Sequence, residues 1–316
     1  MTAAVRALAR RLIDDLAGAD FHRFPTSVAA AATFKQWIHV AVIDPAVTLI
    51  ANFSAIAEPP GPAAHRLAIL VFSDEVSGHA HRFEPAECAM PAGRTGLVFG
   101  RSRLESAGDL HRLELDEPAL ALRAQLVLRA LAAPSVLHHL PVGPGGVFHW
   151  AAVPRLVATG TIERAGRTYE VRDAPAYRDR NWGSFRFGDV AWDWGYVAAP
   201  AGGAPCAVGF MRLLSPGRTR VLDQAILVWW RDRLLASFRG GEVGFSSAGA
   251  FDGPVVTVPP ALARCRPGRA TGVPEAVTVT GRSSRGRLEL RFARAQTARI
   301  VAPNDAGLGT TAIYES

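Results

Sequence analysis

At 316 residues, with 49% hydrophobic and 20% charged side chains, the chain is long enough for two domains and too apolar to be disordered. Its formal charge of +7 raises the question of a polyanionic partner, but Lys35 is the sole lysine and arginine pairs such as Arg10 and Arg11 are scattered. Without a continuous basic run the charge reads as an arginine-biased surface, so no nucleic-acid partner is expected, and nucleic-acid binding stands as a fourth reading behind those developed below.

The apolar positions Val5, Leu8, Leu12, Ile13 and Leu16 recur at helical spacing and Gly18 follows as a stop, which predicts one short N-terminal helix. Arg6, Arg10, Arg11, Asp14 and Asp15 interrupt it, so it lacks the apolar stretch of a secretion signal. No apolar run is long enough to span a bilayer. Cys88, Cys206 and Cys265 are isolated, have no metal-ligand spacing and leave at least one thiol unpaired in any disulfide scheme. A cytoplasmic, reducing location is expected, with peripheral membrane contact left open as a route for lipid uptake.

From Gln36 the period changes to two. Gln36–Ile43 is predicted as a strand, Asp44 and Pro45 as a turn, and Thr48–Ser54 as the antiparallel partner. Strand-like runs follow at Arg66–Phe72, Thr95–Ser102, Leu110–Leu115 and Leu120–Ala130. Breakers then accumulate at Pro134, Pro141, Gly143, Pro144, Gly145 and Gly146, and the boundary between two lobes, 1–140 and 141–316, is placed there. Strand-like runs resume in the second half at Val157–Glu163 and, after a turn at Arg164–Arg167, at Thr168–Arg172, Trp194–Ala198, Cys206–Leu214, Gln224–Trp230, Val277–Gly281 and Leu288–Ala293. Many short strands with polar turns and no βαβ alternation predict an all-β protein of two barrel- or sandwich-like domains in tandem.

Charge and aromatic residues concentrate between Phe148 and Tyr196. In a strand over Ala176–Ser184, the period of two puts Tyr177, Asp179 and Asn181 on one face and Arg178, Arg180 and Trp182 on the other. The chain order His149-Trp150, then Pro154-Arg155 and Thr159-Gly160-Thr161, then Gly166-Arg167-Thr168-Tyr169, then Tyr177, Asp179, Asn181-Trp182-Gly183 and Trp192, Trp194-Gly195 resembles the carotenoid 1,2-hydratase superfamily. That superfamily also holds AttH-like proteins, tocopherol cyclases and lipocalin-like Diels-Alderases. The resemblance covers roughly residues 147–197, with support from Lys35–His39 and Leu49–Ser54. It implies two lipocalin-like domains around an apolar pocket, and in the hydratase branch acid-initiated addition to an isoprenoid double bond. By position the acid is Asp179, with Tyr177, His149 and Trp150 at the site. One departure is evident: the family commonly has histidine where this chain has Arg178 and Arg180.

Candidate substrate contacts are Trp37, His39, Asn181, Trp182, Trp192 and Trp194, and Trp229 and Trp230 are offered as cavity lining with Trp192 and Trp194, although tryptophan in a β-barrel is more often packing and His39 more often a hydrogen-bonded core residue. His138 and His139 have no carboxylate or cysteine partner, Gly143–Gly146 lacks the lysine of a phosphate loop, and there is no nucleophile elbow. No metal and no cofactor are expected, and the partner is a hydrophobic small molecule. Oligomeric state is left open.

Protonating an alkene needs a carboxylic acid, whereas an ordinary aspartate is ionised at neutral pH. Lifting its pKa from near 4 to near 7 asks burial for ~4 kcal/mol against the charged form. The sequence is therefore consistent with a cofactor-independent hydratase or cyclase of an isoprenoid or polyene, with a pericyclic cyclase, or with a carrier that binds its ligand unchanged. In the last case Asp179 would be a salt-bridged link between lobes.

Overall fold

The computed structural model describes residues 33–57, 63–89, 95–142, 145–199, 204–260, 273–284, 286–303 and 310–315. The N-terminal helix and Cys265 lie outside them. The described residues are almost entirely strand: β1 (Phe34–Ile43), β2 (Thr48–Ile56), β3 (Ala64–Phe72), β4 (Val76–Phe83), β5 (Cys88–Ala89), β6 (Thr95–Phe99), β7 (Ser102–Ala107), β8 (Leu110–Glu117), β9 (Leu122–Ala130), β10 (Ser135–Val142), β11 (Gly146–Arg164) and β12 (Arg167–Ser184). These join in one sheet of order β4-β3-β2-β1-β12-β11-β9-β8-β7-β6-β5, with β10 on β11 off that path. The sheet curls into a nearly closed barrel whose seam is filled by Phe99, 5.5 Å from Phe53 and 5.8 Å from Phe83 between ring centres.

Two smaller sheets cover the outer face of this barrel wall, β13 (Ala191–Ala198), β14 (Cys206–Leu214), β15 (Val221–Trp230) and β16 (Arg233–Arg239) in one and β18 (Val255–Val258), β21 (Thr297–Pro303) and β22 (Thr310–Glu315) in the other, while a third, β17 (Val243–Ala248), β19 (Ala276–Ser283) and β20 (Gly286–Ala293), packs through Val279 against Val208, Phe210, Ile226 and Phe238 of the first. The wall β1–β3 is consequently buried on both sides. Leu49, Ala51 and Phe53 point into the barrel core, while Ile50, Leu70 and Ala41 join a second core with Trp150, Met211 and Trp229. This explains why apolar residues occupy both faces of β1 and β2.

The turn between β1 and β2 is as the sequence predicts: Asp44 Oδ1 accepts from the Ala46 N–H at 2.9 Å and Asp44 and Val47 exchange backbone bonds. The breaker-rich segment, however, contains a strand. Ser135–Val142 pairs with β11, Pro141 included, and it can do so as an edge strand, where a proline is tolerated. β11 and β12 are far longer than the runs visible in sequence, 19 and 18 residues, and β12 continues through the whole Tyr177–Gly183 motif to pair with β1. Gly183 closes that motif with φ +156°, where an added Cβ would strike the Val147 carbonyl oxygen.

Candidate functional site

Antiparallel register lines up side chains in rows across the outer face of the wall. In one row stand Ser54, Trp37, Asn181 and Trp150; in the next, Asn52, His39, Asp179 and Ala152; in a third, Ile50, Ala41 and Tyr177. Six of the residues expected at a site (Trp37, His39, Tyr177, Asp179, Asn181 and Trp150) thus come from three strands to one patch. From the covering sheet, β13 adds Trp192 and Trp194, the latter 5.2 Å from the His39 ring and 5.3 Å from Tyr177 between ring centres. Tyr196, on the same strand, donates to the Pro154 carbonyl at 2.7 Å and the Ala176 carbonyl at 3.2 Å, fastening the cover to the wall where β11 bulges. Gly195, between Trp194 and Tyr196, leaves room for Phe210, whose ring a Cβ would strike.

Asp179 is 4% exposed and holds the centre of the patch. Its Oδ2 accepts from Trp150 Nε1 at 3.0 Å and from the Tyr177 hydroxyl at 2.8 Å, and its Oδ1 accepts from Asn181 Nδ2 at 2.8 Å. Burial pushes its pKa up to about 7, against the opposing pull of the Tyr177 and Trp150 hydrogen bonds, the Arg178 charge and Asn181. A group held there is about half protonated at neutral pH, and the same three donors stabilise the carboxylate left after the proton departs. His39, directly opposite Asp179 in register, is pushed the other way: burial lowers its pKa to about 4, so the ring is neutral, and its buried Nε2 has no hydrogen-bond partner among the described residues. Adjacent groups whose environments drive their pKa values apart are the pattern of an acid and a base.

Arg178 and Arg180 lie on the opposite face, each 1% exposed, in register with Val40 and Ile38 of the barrel core, and the Arg180 guanidinium sits 5.1 Å over the Trp182 ring. Arg178 and Arg180 therefore do not touch the Asp179 carboxyl. Two expected site residues are on that face as well: His149 stacks on Trp182 at 4.9 Å and 6°, and neither lines the cavity. The alternation of β11 and β12 dictates this, because His149 neighbours Trp150 and Trp182 neighbours Asn181. Trp229 is core, 1% exposed, and Trp230 is at the surface.

In front of the patch is a cavity of about 160 Å³ walled by Trp37, His39, Asp179, Asn181, Trp192 and Trp194. Residues that sequence reasoning missed complete it: Ile50, Asn52, Ser54, Arg66, Ala68 and Leu70 from β2 and β3, Ala80 from β4, and Phe148, Phe187, Met211, Ile300, Val301 and Ile313. The alternation Ile50-Asn52-Ser54 was the available signal, but on a strand buried on both faces it does not say which face meets a ligand. The lining is mostly apolar, with polar groups confined to the rows of Asp179 and Asn181. Among the described residues the one grouping of three metal-ligating side chains, His79, His81 and Glu117, lies away from this cavity.

No protein-family model matches the chain, and no curated protein matches it by sequence. Solved structures do match over nearly the full length. A protein of Nitrosomonas europaea assigned as AttH is 15% identical with a TM-score of 0.60, covering 94% of this chain and 93% of its own. Kievitone hydratase from Nectria haematococca is 10% identical with a TM-score of 0.55, covering 87% and 80%. CghA, solved with Sch210972, is 15% identical with a TM-score of 0.58, covering 89% and 82%. No helix among the described residues is long and apolar enough to cross a membrane. With β-sheets closing on an apolar cavity, and with these neighbours, the chain has a lipocalin-like fold, the fold of the AttH protein, the kievitone hydratase and CghA, as the motifs between residues 147 and 197 predict.

Proposed function

We propose that the protein is a cofactor-independent hydratase or cyclase in which Asp179 delivers a proton to a double bond of a hydrophobic isoprenoid or polyene. The observation that carries this is the buried Asp179 carboxyl on the cavity wall, pushed up to about 7 and held by Trp150, Tyr177 and Asn181. A pKa near the working pH is what a general acid needs: enough protonated form, and enough driving force to give the proton up.

Proton transfer from Asp179 to the alkene makes a C–H bond and leaves a tertiary carbocation beside the faces of Trp37 and Trp194, which attract positive charge. Water attacks the cation, and the neutral His39 Nε2 accepts the proton that water loses. Capture by a second double bond of the same substrate gives cyclisation instead: a C–C bond forms, the positive charge passes to the second alkene's far carbon, and loss of a neighbouring C–H proton to His39 Nε2 leaves a new double bond in a product isomeric with the substrate. His39, whose pKa is about 4, releases that proton to solvent and Asp179 takes one back from it, so the hydration consumes one water and needs no redox group. A cavity of about 160 Å³ is comparable with the ~150 Å³ engineered cavity that binds benzene, so it takes one branched terminus of a longer molecule rather than the whole. The fold shared with a kievitone hydratase agrees with this class of chemistry.

The test is mass spectrometry of organic extracts after incubating wild type and Asp179→Asn with linear isoprenoids and polyenes. Addition of one water, or isomerisation without mass change, in wild type alone is the expected result. Product formation retained by the variant would instead indicate a pericyclic cyclase, and ligand recovered unchanged from both proteins would indicate a carrier.

A further inference from the structure

We propose that His79, His81 and Glu117 form a binding site for one divalent transition-metal ion, of the zinc type, that pins the edge strand β4 to the turn following β8. The three side chains offer ligand atoms that all lie within 4.8 Å of one another. His79 and His81 are two apart on β4 and so share a face, the one that continues to Phe83 at the barrel seam; Glu117 ends β8.

The spacing is that of ligands rather than of an ordinary pair. His79 Nδ1 and Glu117 Oε2 are 3.3 Å apart, yet Nδ1, buried from solvent, has no aligned hydrogen bond among the described residues. Two ligands ~2.0–2.2 Å from a tetrahedral zinc stand roughly 3.4 Å from each other, so these two atoms already occupy neighbouring corners. Glu117 is built into the fold: its side chain is 7% exposed and its other oxygen, Oε1, accepts from the Ala119 N–H at 3.0 Å, which fixes the carboxylate plane. His81 is exposed and stacked on Phe83 at 4.3 Å, free to turn by a rotamer toward the third corner, and solvent supplies the fourth. Two imidazoles and one carboxylate are a borderline donor set, suited to zinc, cobalt or copper and poor for calcium or magnesium.

The position gives the ion a structural task. β4 is one edge of the twelve-stranded sheet and has no strand partner beyond it in that sheet, while Glu117 comes from the far side of the seam. On the opposite face of β4, Ala80, between the two histidines, lines the cavity. The ion would hold the cavity wall from behind without touching substrate.

Full-length protein freed of any affinity tag and stripped with chelator would be titrated with Co²⁺ while visible absorption is recorded, then with Zn²⁺ in competition. The expected result is one equivalent bound with the strong absorption of a four-coordinate ion, displaced by Zn²⁺, and a rise in the thermal midpoint with metal. His81→Ala and Glu117→Gln should each weaken binding at least about ten-fold and abolish the thermal shift, with unchanged circular dichroism. Because His81 is exposed, its variant keeps the test valid should the Glu117 variant fold poorly. No saturable binding, or binding of equal strength in His81→Ala, would overturn the proposal.

Discussion

Replacing Asp179 by Asn is expected to make the protein more stable above neutral pH and to remove a pH-dependent loss of stability that the wild type carries. Burial raises the carboxyl from 3.8 to about 7, so between these values the folded chain keeps a proton that the unfolded chain has released. The stability this group contributes is fully present below about pH 4 and is lost as pH rises through 7. A gap of about three pH units at ~1.36 kcal/mol each sets a ceiling of about 4 kcal/mol. His39 acts in the opposite sense over an overlapping window: its folded pKa of about 4 lies below the usual 6.5, so stability is gained as pH rises between them, and His111, lowered to about 3 by burial, does the same. The wild-type curve alone therefore mixes opposing slopes, while its difference from the Asn variant isolates position 179. Asn fits if the Asn181 amide turns over, so that residue 179 accepts from Trp150 and Tyr177 and donates to Asn181. Urea unfolding of both proteins between about pH 4.5 and 8.5 should show a difference that grows in favour of the variant with rising pH, by up to ~4 kcal/mol. A difference that does not change with pH would refute a buried, proton-holding Asp179.

Three further outcomes follow from the same geometry. With Asp179 required protonated and His39 neutral, kcat/KM should be bell-shaped with limbs near pH 4 and 7, falling roughly 30-fold between the maximum and about pH 8.5, and His39→Gln should lower the rate and flatten the acidic limb. Tyr177→Phe removes a donor that favours the carboxylate, so the basic limb should move to higher pH, at a cost of ~1 kcal/mol in unfolding free energy. Gly183→Ala places a Cβ against the Val147 carbonyl at φ +156°, and should destabilise by at least ~1–3 kcal/mol in chemical denaturation without altering either pH limb.

Local periodicity carried much of this in the sequence. Cys206–Leu214 is a strand between the expected residues, and the alternation of Tyr177–Trp182 correctly separated Asp179 from both arginines. What one strand cannot show is its partner. That His39 stands opposite Asp179 depends on pairing β1 with a strand 140 residues later, and that Asn52 joins their row depends on the hairpin register. β4 was not legible because Val76–Phe83 holds Gly78, His79, His81 and Arg82, too polar for a strand signal, and it is stabilised by packing: Gly78 fits tightly between Leu70 and Val258. His149 was drawn to the site by its neighbour Trp150, although the same alternation that placed Arg178 outside places His149 outside too.

The most direct test of proton delivery by Asp179 is to run the reaction in D₂O and count deuterium bound to carbon in the product. Acid-initiated chemistry is expected to leave one non-exchangeable deuterium at the protonated carbon, formed by wild type and not by Asp179→Asn. A product made at full rate with no carbon-bound deuterium would contradict proton delivery and leave Asp179 a structural residue.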